Sequence, residues 1–512
     1  MIYDAAALPH PLVLEADVCV VGSGAGGGTA AMVAAEAGLR VVVLEAGAFV
    51  PPEAMTQREE QMIPALLWDH GGRTTADRAV AIHQGRAVGG STVHNLNLIK
   101  RVPDAILEAW RRERGLSHLS LARWHALYDE AEALLGVTDV PEALVSRHNR
   151  VLRDGAEALG WRGGRLRHNR AGCQTSGFCL LGCAYDAKNN VPRVVLPRAV
   201  RAGATVLSNA QAVRVEQDDG RARAVVARAI DPVTRVTRGR VEIRARHVCL
   251  SASATGTAAL LARSEVPDPS GTTGRGLRVH PALVVAGEMR DEVRAWQGVP
   301  QSYECTEHLT LTGTARPPLG TRTWIVPAFA HPIGTATMLP GLGAEHRRLM
   351  RLYPRLAVLT AMIHDETAGR VRPSGELGVE LDYWPDAADR AELLFGLEAC
   401  ARLLFAAGAR RVFVPTHPVT ELSPSDPFPR FALERGSMPV TAVHPMASVP
   451  MGDDPRASAV GSDGAHHHVD GLWVADGSLF PTSIGVPPQL SIYAMGLHVG
   501  RAIAGRGARG RA

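Results

Sequence analysis

Two segments near the C-terminus carry candidate functional side chains. His444 begins the run His-Pro-Met-Ala-Ser-Val-Pro-Met-Gly, and Asp476 follows the apolar stretch Leu-Trp-Val-Ala. Imidazole has an unperturbed pKa of about 6.5, so a histidine beside a redox group can accept a hydroxyl proton near neutral pH. We expect His444 to be a catalytic base. The alternatives are a hydrogen-bonded structural histidine at 444 and an Asp-Gly turn after a strand at 476.

Cys173, Cys179 and Cys183 follow the spacing Cys-x5-Cys-x3-Cys in a segment that also contains glycines. Thiolates this close in sequence can hold soft metals, and three of them suit a 3Fe–4S cluster. The alternative, which we favour, is a cysteine-rich loop packed near the active site with at most one disulfide. The other four cysteines are scattered and are predicted to be small core residues.

Residues 18–45 predict the element that binds a nucleotide. An apolar strand leads into Gly22-Ser-Gly24-Ala-Gly-Gly27-Gly, and an alanine-rich helix and a second strand end at Glu45. Gly22 permits the tight turn, Gly24 lets the backbone approach a pyrophosphate, and Gly27 lets the helix pack against the strand. An acid about 20 residues after the turn can accept ribose hydroxyls. The pattern favours a dinucleotide over a glycine turn without a ligand, and it does not distinguish NAD from FAD.

A second glycine-rich segment, residues 85–97, offers a flat backbone surface and small polar groups. Glycines let the backbone lie against a planar ring or a phosphate, and hydroxyl and amide side chains orient the ligand. The alternative is a glycine-rich loop without a ligand. The candidate cofactor contacts here are Gly89, Gly90, Ser91, His94, Asn95 and Asn97.

The composition of the 512 residues argues against several classes of protein. The formal net charge is only +4, the arginines are scattered, and Lys100 and Lys188 are the sole lysines, so we expect no nucleic-acid partner. No apolar run approaches the roughly 18 residues of a membrane span, and we expect no secretory leader before the first strand. We therefore expect a cytoplasmic protein without a transmembrane segment. Peripheral membrane contact through an exposed apolar loop stays open.

Taken together, these segments resemble the glucose–methanol–choline (GMC) oxidoreductases, a family of FAD-dependent enzymes that oxidise alcohols. The resemblance spans nearly the whole chain. Two further segments, 366–371 and 403–408, resemble the long-chain alcohol oxidase branch of the family. The segments that carry the family resemblance, in the family's order, are Gly22–Glu45, Gly85–Asn97, Leu250–Leu261, Gly274–Pro281 and His444–Gly500.

The resemblance implies FAD as the cofactor and assigns roles to residues that match the family's motifs. His444 matches the catalytic histidine. His94 matches a histidine that some members bond covalently to the flavin 8α-methyl, and both a covalent bond and simple packing at the flavin edge stay open. The further FAD contacts that the resemblance implies are Val213, Asp476, Gly477 and Pro488.

Pro487 is a departure from the family pattern. Relatives place Asn or His there as a second polar group on the substrate oxygen, whereas proline has no side-chain donor and no N–H. Gln489 is the nearest candidate for that role. Otherwise His444 works alone or the substrate is not a simple alcohol. The cysteine spacing in turn resembles bacterial FAD glucose dehydrogenases, which carry a cluster, and long-chain alcohol oxidases have a similar segment with no established cluster.

These implications predict an enzyme that oxidises the C–OH group of an apolar, long-chain or alicyclic alcohol to a carbonyl. His444 would take the proton and flavin N5 the hydride, and oxygen, a quinone or a redox partner would reoxidise the flavin. Two alternatives remain. One is a flavin desaturase or lyase on the same fold, suggested by Pro487, and the other is a non-catalytic flavoprotein acting as a redox sensor.

The predicted fold class is α/β (α+β), with a Rossmann-like FAD-binding domain that includes a β-meander and a substrate-binding domain built on an antiparallel sheet with helices. Residues 204–250 predict the successive strands of the meander, in which 224–230 returns as 241–245 and a separate final apolar strand covers 247–250. The predicted domains are FAD-binding segments at 1–110, 191–285 and 436–512, a cap insertion with the cysteine-rich loop at 111–190, and a substrate-binding domain at 286–435.

Overall fold

A computed structural model of the chain describes residues 1–313 and 317–509. They form a mixed α/β structure with two large sheets, which confirms the predicted fold class. The α-helices of the described residues are α1 (Ala25–Glu36), α2 (Glu59–Leu66), α3 (Asp104–Arg114), α4 (Leu121–Leu135), α5 (Arg147–Leu159), α6 (Leu196–Arg201), α7 (Ser253–Arg263), α8 (Pro332–Met338), α9 (Gly343–Arg351), α10 (Ala387–Ala406) and α11 (Gln489–Arg509).

The strands belong to the two large sheets and to two small three-stranded ones. In chain order they are β1 (Ile2–Asp4), β2 (Leu12–Val21), β3 (Val41–Leu44), β4 (Val80–Ile82), β5 (Leu98–Ile99), β6 (Thr138–Asp139), β7 (Gly163–Arg165), β8 (Arg167–His168), β9 (Thr205–Ser208), β10 (Ala210–Asp218), β11 (Arg221–Ile230), β12 (Thr237–Leu250), β13 (Arg275–Leu277), β14 (Ala282–Glu288), β15 (Tyr303–Cys305), β16 (Thr323–Pro327), β17 (Leu356–Ile363), β18 (Gly369–Ser374), β19 (Gly378–Asp382), β20 (Arg411–Val414), β21 (Thr420–Leu422), β22 (Val440–Ala442) and β23 (Leu472–Val474).

The first large sheet has the strand order β1-β9-β3-β2-β12-β11-β10, with β23 also paired to β12. The neighbouring strands in the series β1-β9-β3-β2-β12 pair in parallel, and β23 also pairs with β12 in parallel. The strands β12, β11 and β10 form an antiparallel meander. The strand β2 is fully buried from Ala16 onward and apolar from Val18 onward, as expected for a strand covered on both faces. This sheet corresponds to the predicted nucleotide-binding unit. At the end of its meander the sequence predicts two separate strands, whereas the structure has one long strand, β12.

The helix α1 is buried over most of its length, and glycines allow its close packing against α11. A Cβ on Gly496 would lie 2.6 Å from the carbonyl oxygen of Gly26, and a Cβ on Gly500 would lie 3.0 Å from the Cα of Ala30. Larger side chains would therefore hold the two helices apart. This contact fixes the C-terminal helix beside the first glycine turn.

The second large sheet has the order β21-β20-β14-β17-β16-β15-β7, and β22 and β4 extend it beside β14. All of these pairs are antiparallel except β22 with β4. Because strand side chains alternate between faces, Ala282 and Val284 of β14 point to one face and Leu283 and Val285 to the other. The helix α10 packs across β14, β16 and β17.

A buried ion pair joins α10 to this sheet. The guanidinium of Arg322 donates to Asp389 on α10 and to the carbonyl oxygen of His364, and both charged side chains are almost completely buried. Asp389 also accepts hydrogen bonds from the backbone N–H groups of Glu366 and Thr367. The pair thus holds the segment that follows β17 in a fixed position.

The two sheets draw their strands from several separate parts of the chain. The first uses residues near the N-terminus, 205–250 and 472–474, and the second uses strands between 282 and 442 together with β4 and β7. The predicted domain boundaries stay predictions, although β14 runs across the one placed at 285. In the ranges that the structure describes, no helix has the length and apolar character needed to cross a membrane.

Candidate active site

A cavity of about 560 Å³ extends from the first glycine turn to the face of the second sheet. This volume lies in the range of ligand-binding pockets. Residues from both sheets and from α11 line it. Among the sequence-predicted residues, the cavity is lined by Gly22, Gly24, Glu45, Gly90, Ser91, His94, Asn95, His444, Asp476, Gly477, Pro488 and Gln489.

The glycines of the first turn serve two different purposes. Some allow close contact with neighbouring backbone, and one leaves space at the cavity wall. Gly22 has a φ of +97°, and a Cβ on Gly27 would lie 2.0 Å from the carbonyl oxygen of Gly22. A Cβ on Gly24, by contrast, would find its nearest neighbour, the Cα of Gly90, at 4.0 Å. Gly27 is therefore required by backbone packing, whereas Gly24 keeps the cavity wall open at the N-terminus of α1.

The second glycine segment lies directly against the first. A Cβ on Gly90 would lie 3.0 Å from the Cα of Gly24, and the backbone of Gly89 has a φ of +100°. The hydroxyl of Ser91 accepts a hydrogen bond from the N–H of Gly85 at 2.9 Å, which closes the loop on itself. The two glycine segments therefore form one continuous backbone surface along the cavity.

Glu45 is buried at the edge of this surface, and Ser23 connects it to the second glycine segment. One oxygen of the Glu45 carboxylate accepts the N–H of Ser23 at 3.0 Å and its hydroxyl at 2.7 Å, and the other accepts the N–H of Gly47 at 2.8 Å. The Ser23 hydroxyl in turn accepts the N–H of Gly89 at 2.9 Å. Burial raises the pKa of Glu45 although these hydrogen bonds oppose that shift. Sequence reasoning missed Ser23, which stood between the two glycines as an unremarked small residue.

His94 lies in the cavity wall with an unsatisfied ring nitrogen. Its Nε2 is buried and has no hydrogen-bond partner among the described residues. Desolvation, helped by the nearby positive charge of Lys188, lowers the pKa of His94 to about 3. The imidazole is therefore neutral at physiological pH and presents a polar atom that a ligand in the cavity could contact.

Lys188 fixes the backbone on both sides of His94, a role that sequence reasoning missed. Its ammonium donates to the carbonyl oxygens of Val93 at 2.7 Å, Asn95 at 2.6 Å and Cys179 at 2.9 Å. The side chain is almost completely buried, and desolvation lowers its pKa to about 8. A charged lysine with three carbonyl partners has its donors satisfied. Its rarity in this chain was the signal that could have drawn attention to it.

The three cysteines line a separate small cavity next to this lysine. Cys173 accepts a hydrogen bond from Arg170, Cys183 accepts one from the N–H of Ala187, and burial raises the pKa of the Cys179 thiol. All three are free thiols. Within residues 1–313 and 317–509, no group of three or more His, Cys, Asp or Glu side chains is arranged to hold a metal ion. These contacts are of the kind that the favoured packing loop predicts, and the alternative, a 3Fe–4S ligand set at Cys173, Cys179 and Cys183, stays untested.

His444 lies in the cavity wall and contacts a second histidine, His280. The two Nδ1 atoms are 3.1 Å apart and the rings are nearly perpendicular. On its other edge, Nε2 of His280 accepts the backbone N–H of Gly485 at 2.9 Å. Desolvation lowers the pKa of His444 to about 3 and lowers that of His280 well below its usual range.

His280 is held by a buried carboxylate. Asp365 accepts the backbone N–H of Val279 at 3.0 Å and of His280 at 3.3 Å, and the hydroxyl of Tyr383 donates to it at 2.8 Å. His280 has a φ of +50°, a left-handed conformation that non-glycine residues rarely adopt. Such a conformation persists where the surroundings enforce it. The segment that contains His280 was a recognised motif, but its contact with His444 was not foreseen.

The side chains of Asp476 and Gln489 are engaged within the protein. Asp476 accepts the hydroxyl of Thr257 at 2.6 Å and the N–H of Ser478 at 2.9 Å, and burial raises its pKa. The Gln489 amide donates to the carbonyl oxygen of Leu98 at 2.6 Å, and its oxygen accepts from Asn95 at 2.8 Å. Gln489 therefore braces α11 against the second glycine segment, and both ends of its amide are used. Pro487 also lines the cavity and offers no donor.

Four of the predicted cofactor residues do not line the cavity. Gly27 and Gly89 lie behind it, where they allow the packing described above. Asn97 lies beside the cysteines, with its amide nitrogen 3.8 Å from the sulfur of Cys179. Val213 is the extra residue of a β-bulge in β10, and its neighbour Ala212 lines the cavity. The bulge leaves the Val213 backbone out of the strand ladder, so that a contact through its backbone stays a prediction.

The end of the cavity away from the glycines is apolar. Ala282, Val284, Trp324 and Met362 of the second sheet line the cavity, together with Phe329 and Met338. The helix α8, which supplies Met338, is capped by Glu59, whose carboxylate accepts the N–H groups of Ile333 and Gly334. This end can enclose an apolar molecule next to His444.

The residues present fit FAD. The open wall at Gly24 and the carboxylate of Glu45 suit the ADP half, because a helix N-terminus favours a pyrophosphate and an acid accepts ribose hydroxyls. The unsatisfied Nε2 of His94 and the backbone surface of the second glycine segment suit a planar ring. The cavity is continuous between these groups.

Comparison with known proteins identifies the family to which this chain is similar. Residues 20–282 and residues 366–496 each match the family profile described as GMC oxidoreductase. The chain is 37% identical over 496 residues to an uncharacterised GMC-type oxidoreductase of Mycobacterium tuberculosis. The aligned region covers 96% of this chain and 76% of that protein. It is 27% identical over 507 residues to a long-chain-alcohol oxidase of Arabidopsis thaliana, covering 94% of this chain and 65% of that one. The crystal structure of pyridoxine 4-oxidase from Mesorbium loti is similar with a TM-score of 0.69 and 20% identity, covering 95% and 98% of the two chains.

The two classes of glycine predict separable defects. Gly27→Ala should destabilise the fold by about 3 kcal/mol, because overpacking against backbone typically costs about 1–3 kcal/mol. Gly24→Ala should leave the melting temperature of the apoprotein unchanged but weaken FAD binding at least about tenfold. Thermal unfolding and titration with FAD measure the two effects. Equal loss of stability in both variants would contradict the division.

The contacts of Lys188 with three backbone carbonyls predict that this side chain stabilises the fold. Lys188→Met should destabilise the protein by about 3 kcal/mol, since each unpaired buried carbonyl costs about 1–3 kcal/mol and removal of a buried charge offsets part of the loss. Lys100→Met is the matched control. Lys100 pairs with Glu304, and a smaller loss of stability is expected because Glu304 still accepts a hydrogen bond from Trp324. Urea unfolding measures both. A Lys188 variant as stable as the wild type would refute the role.

Proposed function

Because this chain belongs to the GMC oxidoreductase family, which is FAD-binding, we propose that it oxidises the C–OH group of an apolar alcohol, long-chain or alicyclic, to a carbonyl. The protein is an FAD-dependent oxidoreductase by family. The identity of its donor and the residues that act on it are the content of the proposal.

The observation that carries the proposal is the composition of the cavity at His444. The imidazole of His444 lines the same cavity as the glycine segments and the apolar residues Trp324, Met362 and their neighbours. An apolar wall excludes water and binds hydrocarbon through area removed from solvent. A polar head group of the substrate would therefore sit at His444, with its apolar body against the second sheet.

Bound FAD supplies the hydride acceptor. The chain itself supplies the remaining parts of the reaction site. His444 contacts the substrate oxygen, the apolar wall orients the carbon chain, and Asp476 and the glycine segments hold the cofactor. Pro487 and the engaged amide of Gln489 leave His444 as the principal polar contact for the substrate. The relationship to a long-chain-alcohol oxidase supports an aliphatic substrate.

A flavin-dependent desaturase or lyase is the second candidate. The observation that favours it is Pro487, since an alcohol oxygen would have one polar partner fewer than in relatives with Asn or His at that position. The bound flavin would then be reduced by, or act on, a substrate without a free hydroxyl. A panel that includes such compounds separates the two candidates.

The alcohol proposal predicts that long-chain or alicyclic alcohols bleach the flavin of the purified holoenzyme under anaerobic conditions. Mixing with oxygen or a quinone afterwards identifies the acceptor. His444→Ala should slow flavin reduction at least about 100-fold while FAD stays bound, because a positioned group acting on the substrate oxygen contributes on this scale. The exposed His125→Ala is the control with unchanged rate. Bleaching by none of the alcohols would overturn the proposal and favour the lyase or a redox sensor.

For His94 we propose contact with the flavin edge without a covalent bond. Acid precipitation of the holoenzyme should leave the yellow colour in the supernatant. His94→Ala should then lower FAD affinity, because it removes the buried imidazole that lines the cavity. Colour retained by the precipitated polypeptide, and lost in the variant, would instead establish a bond between His94 and the flavin.

A further inference from the structure

A buried arginine lines the cavity and takes no part in the proposed oxidation. Arg73 is 8% exposed, and its one carboxylate partner among the described residues is Asp69, whose side chain is 55% exposed. Buried charges are normally paired with groups that are also shielded from water. Solvent screens a half-exposed carboxylate, so Asp69 offsets the charge of Arg73 weakly.

The guanidinium of Arg73 has donors that the protein leaves unused. Nε donates to Asp69 at 2.8 Å, and Nη1 donates to Oε1 of Gln84 at 2.9 Å. Nη2 carries two more N–H groups and has no hydrogen-bond partner within residues 1–313 and 317–509. An arginine has five N–H donors and no acceptor. Because Arg73 lines the cavity, its unused donors are available to a ligand bound there.

Gln84 adds a further donor beside Arg73. A guanidinium can only donate, so Gln84 must turn its amide oxygen toward it. The hydroxyl of Thr255 donates to the same oxygen at 2.9 Å. The amide nitrogen of Gln84 is then the group left over, and Gln84 also lines the cavity. Arg73 and Gln84 therefore present N–H donors and a positive charge, while the amide oxygen between them is already occupied.

A second buried arginine contacts the same tryptophan as Arg73. The guanidinium carbon of Arg73 is 4.6 Å from the centroid of the Trp68 ring, and that of Arg86 is 5.0 Å from it. Arg86 is 6% exposed and has no ion-pair partner in the part of the chain that the structure describes. Two buried guanidinium groups with one half-exposed carboxylate leave the local charge positive, which favours an anionic ligand.

This positive charge lies next to the glycine segments. Gln84 immediately precedes Gly85, where a Cβ would lie 2.6 Å from the carbonyl carbon of Gly90, and Gly90 in turn packs against Gly24. Thr255 is in the first turn of α7, a helix that follows the backbone packed against the first glycine turn. The open wall at Gly24 is the part of the cavity that suits a pyrophosphate.

We propose that Arg73 is a binding residue for the FAD pyrophosphate, and that Gln84 holds its guanidinium in place. Arginine N–H groups make strong, charge-assisted hydrogen bonds to phosphate oxygens. The bound phosphates supply the negative charge that Asp69 supplies weakly. The proposal concerns the cofactor and not the alcohol, so it stands or falls separately from the proposed oxidation.

The fold around Arg73 does not require its charge. Residues 73–82 form a hairpin that backbone hydrogen bonds close, from the N–H of Ile82 to the carbonyl oxygen of Arg73 at 2.8 Å and from the N–H of Thr75 to that of Val80 at 3.0 Å. A buried guanidinium without a shielded partner destabilises the apoprotein. A structural role and a phosphate-binding role therefore predict different effects when the charge is removed.

The first test compares stability with cofactor affinity. In Arg73→Met the melting temperature of the apoprotein should not fall, whereas FAD should bind at least about tenfold more weakly. Arg73→Lys keeps the charge without the planar fork and should have an intermediate affinity. Arg78→Met, which changes an exposed arginine of the same hairpin, is the matched control with unchanged affinity. Thermal unfolding and calorimetric titration with FAD measure the two quantities.

The second test asks whether Arg73 recognises the phosphates. ADP carries a pyrophosphate and adenosine does not, and both are used to compete with FAD for the apoprotein. The preference for ADP over adenosine should fall at least about tenfold in Arg73→Met and stay unchanged in Arg78→Met. Wild-type FAD affinity or an unchanged preference in Arg73→Met would overturn the proposal, whatever the melting temperature. If Arg73→Met does not fold, Arg73→Gln is measured in the same way, and an unchanged preference there overturns it.

Discussion

Close backbone contact around the N-terminus of α1 is the constraint on which the site depends. A Cβ on Gly26 would lie 1.6 Å from the carbonyl oxygen of Ala475, and one on Gly22 would lie 2.2 Å from that of Ser251. These contacts bring three distant parts of the chain to one helix end. The next residue after Ala475 is Asp476, and α11 also packs against α1. These segments can approach so closely because glycine has no side chain.

The polar groups of the site are held from behind by buried charges. Lys188 ties the backbone that flanks His94 to the cysteine segment, and Asp365 holds the backbone of His280. The Arg322–Asp389 pair in turn fixes the segment that contains Asp365. Removing one member of such an arrangement leaves an unpaired buried group, which costs more than the pair contributes to stability. The expected benefit is a fixed geometry at the cavity wall.

Much of the fold could be predicted because its signals are local. The strand-turn-helix-strand order ending at Glu45 requires only neighbours in sequence, and the structure has it in β2, α1 and β3. The meander within 204–250 was equally visible, although the split expected within β12 was wrong because the strand stays paired with β2 through the polar residues. The arrangement with a second, antiparallel sheet is not encoded in any single segment, and it was predicted from the family resemblance.

The sequence by itself determined the family, the cofactor class and twelve of the residues that line the cavity, because glycine spacing and motif order are properties of the chain. Only the tertiary structure decided what those residues do. Gln489 is engaged with Asn95 and Leu98, the thiols line a small cavity beside Lys188, and Ser23 joins Glu45 to Gly89. His280 contacts His444 through Nδ1 and accepts the backbone N–H of Gly485 at Nε2. Such contacts join residues far apart in sequence, and packing rather than spacing brings them together.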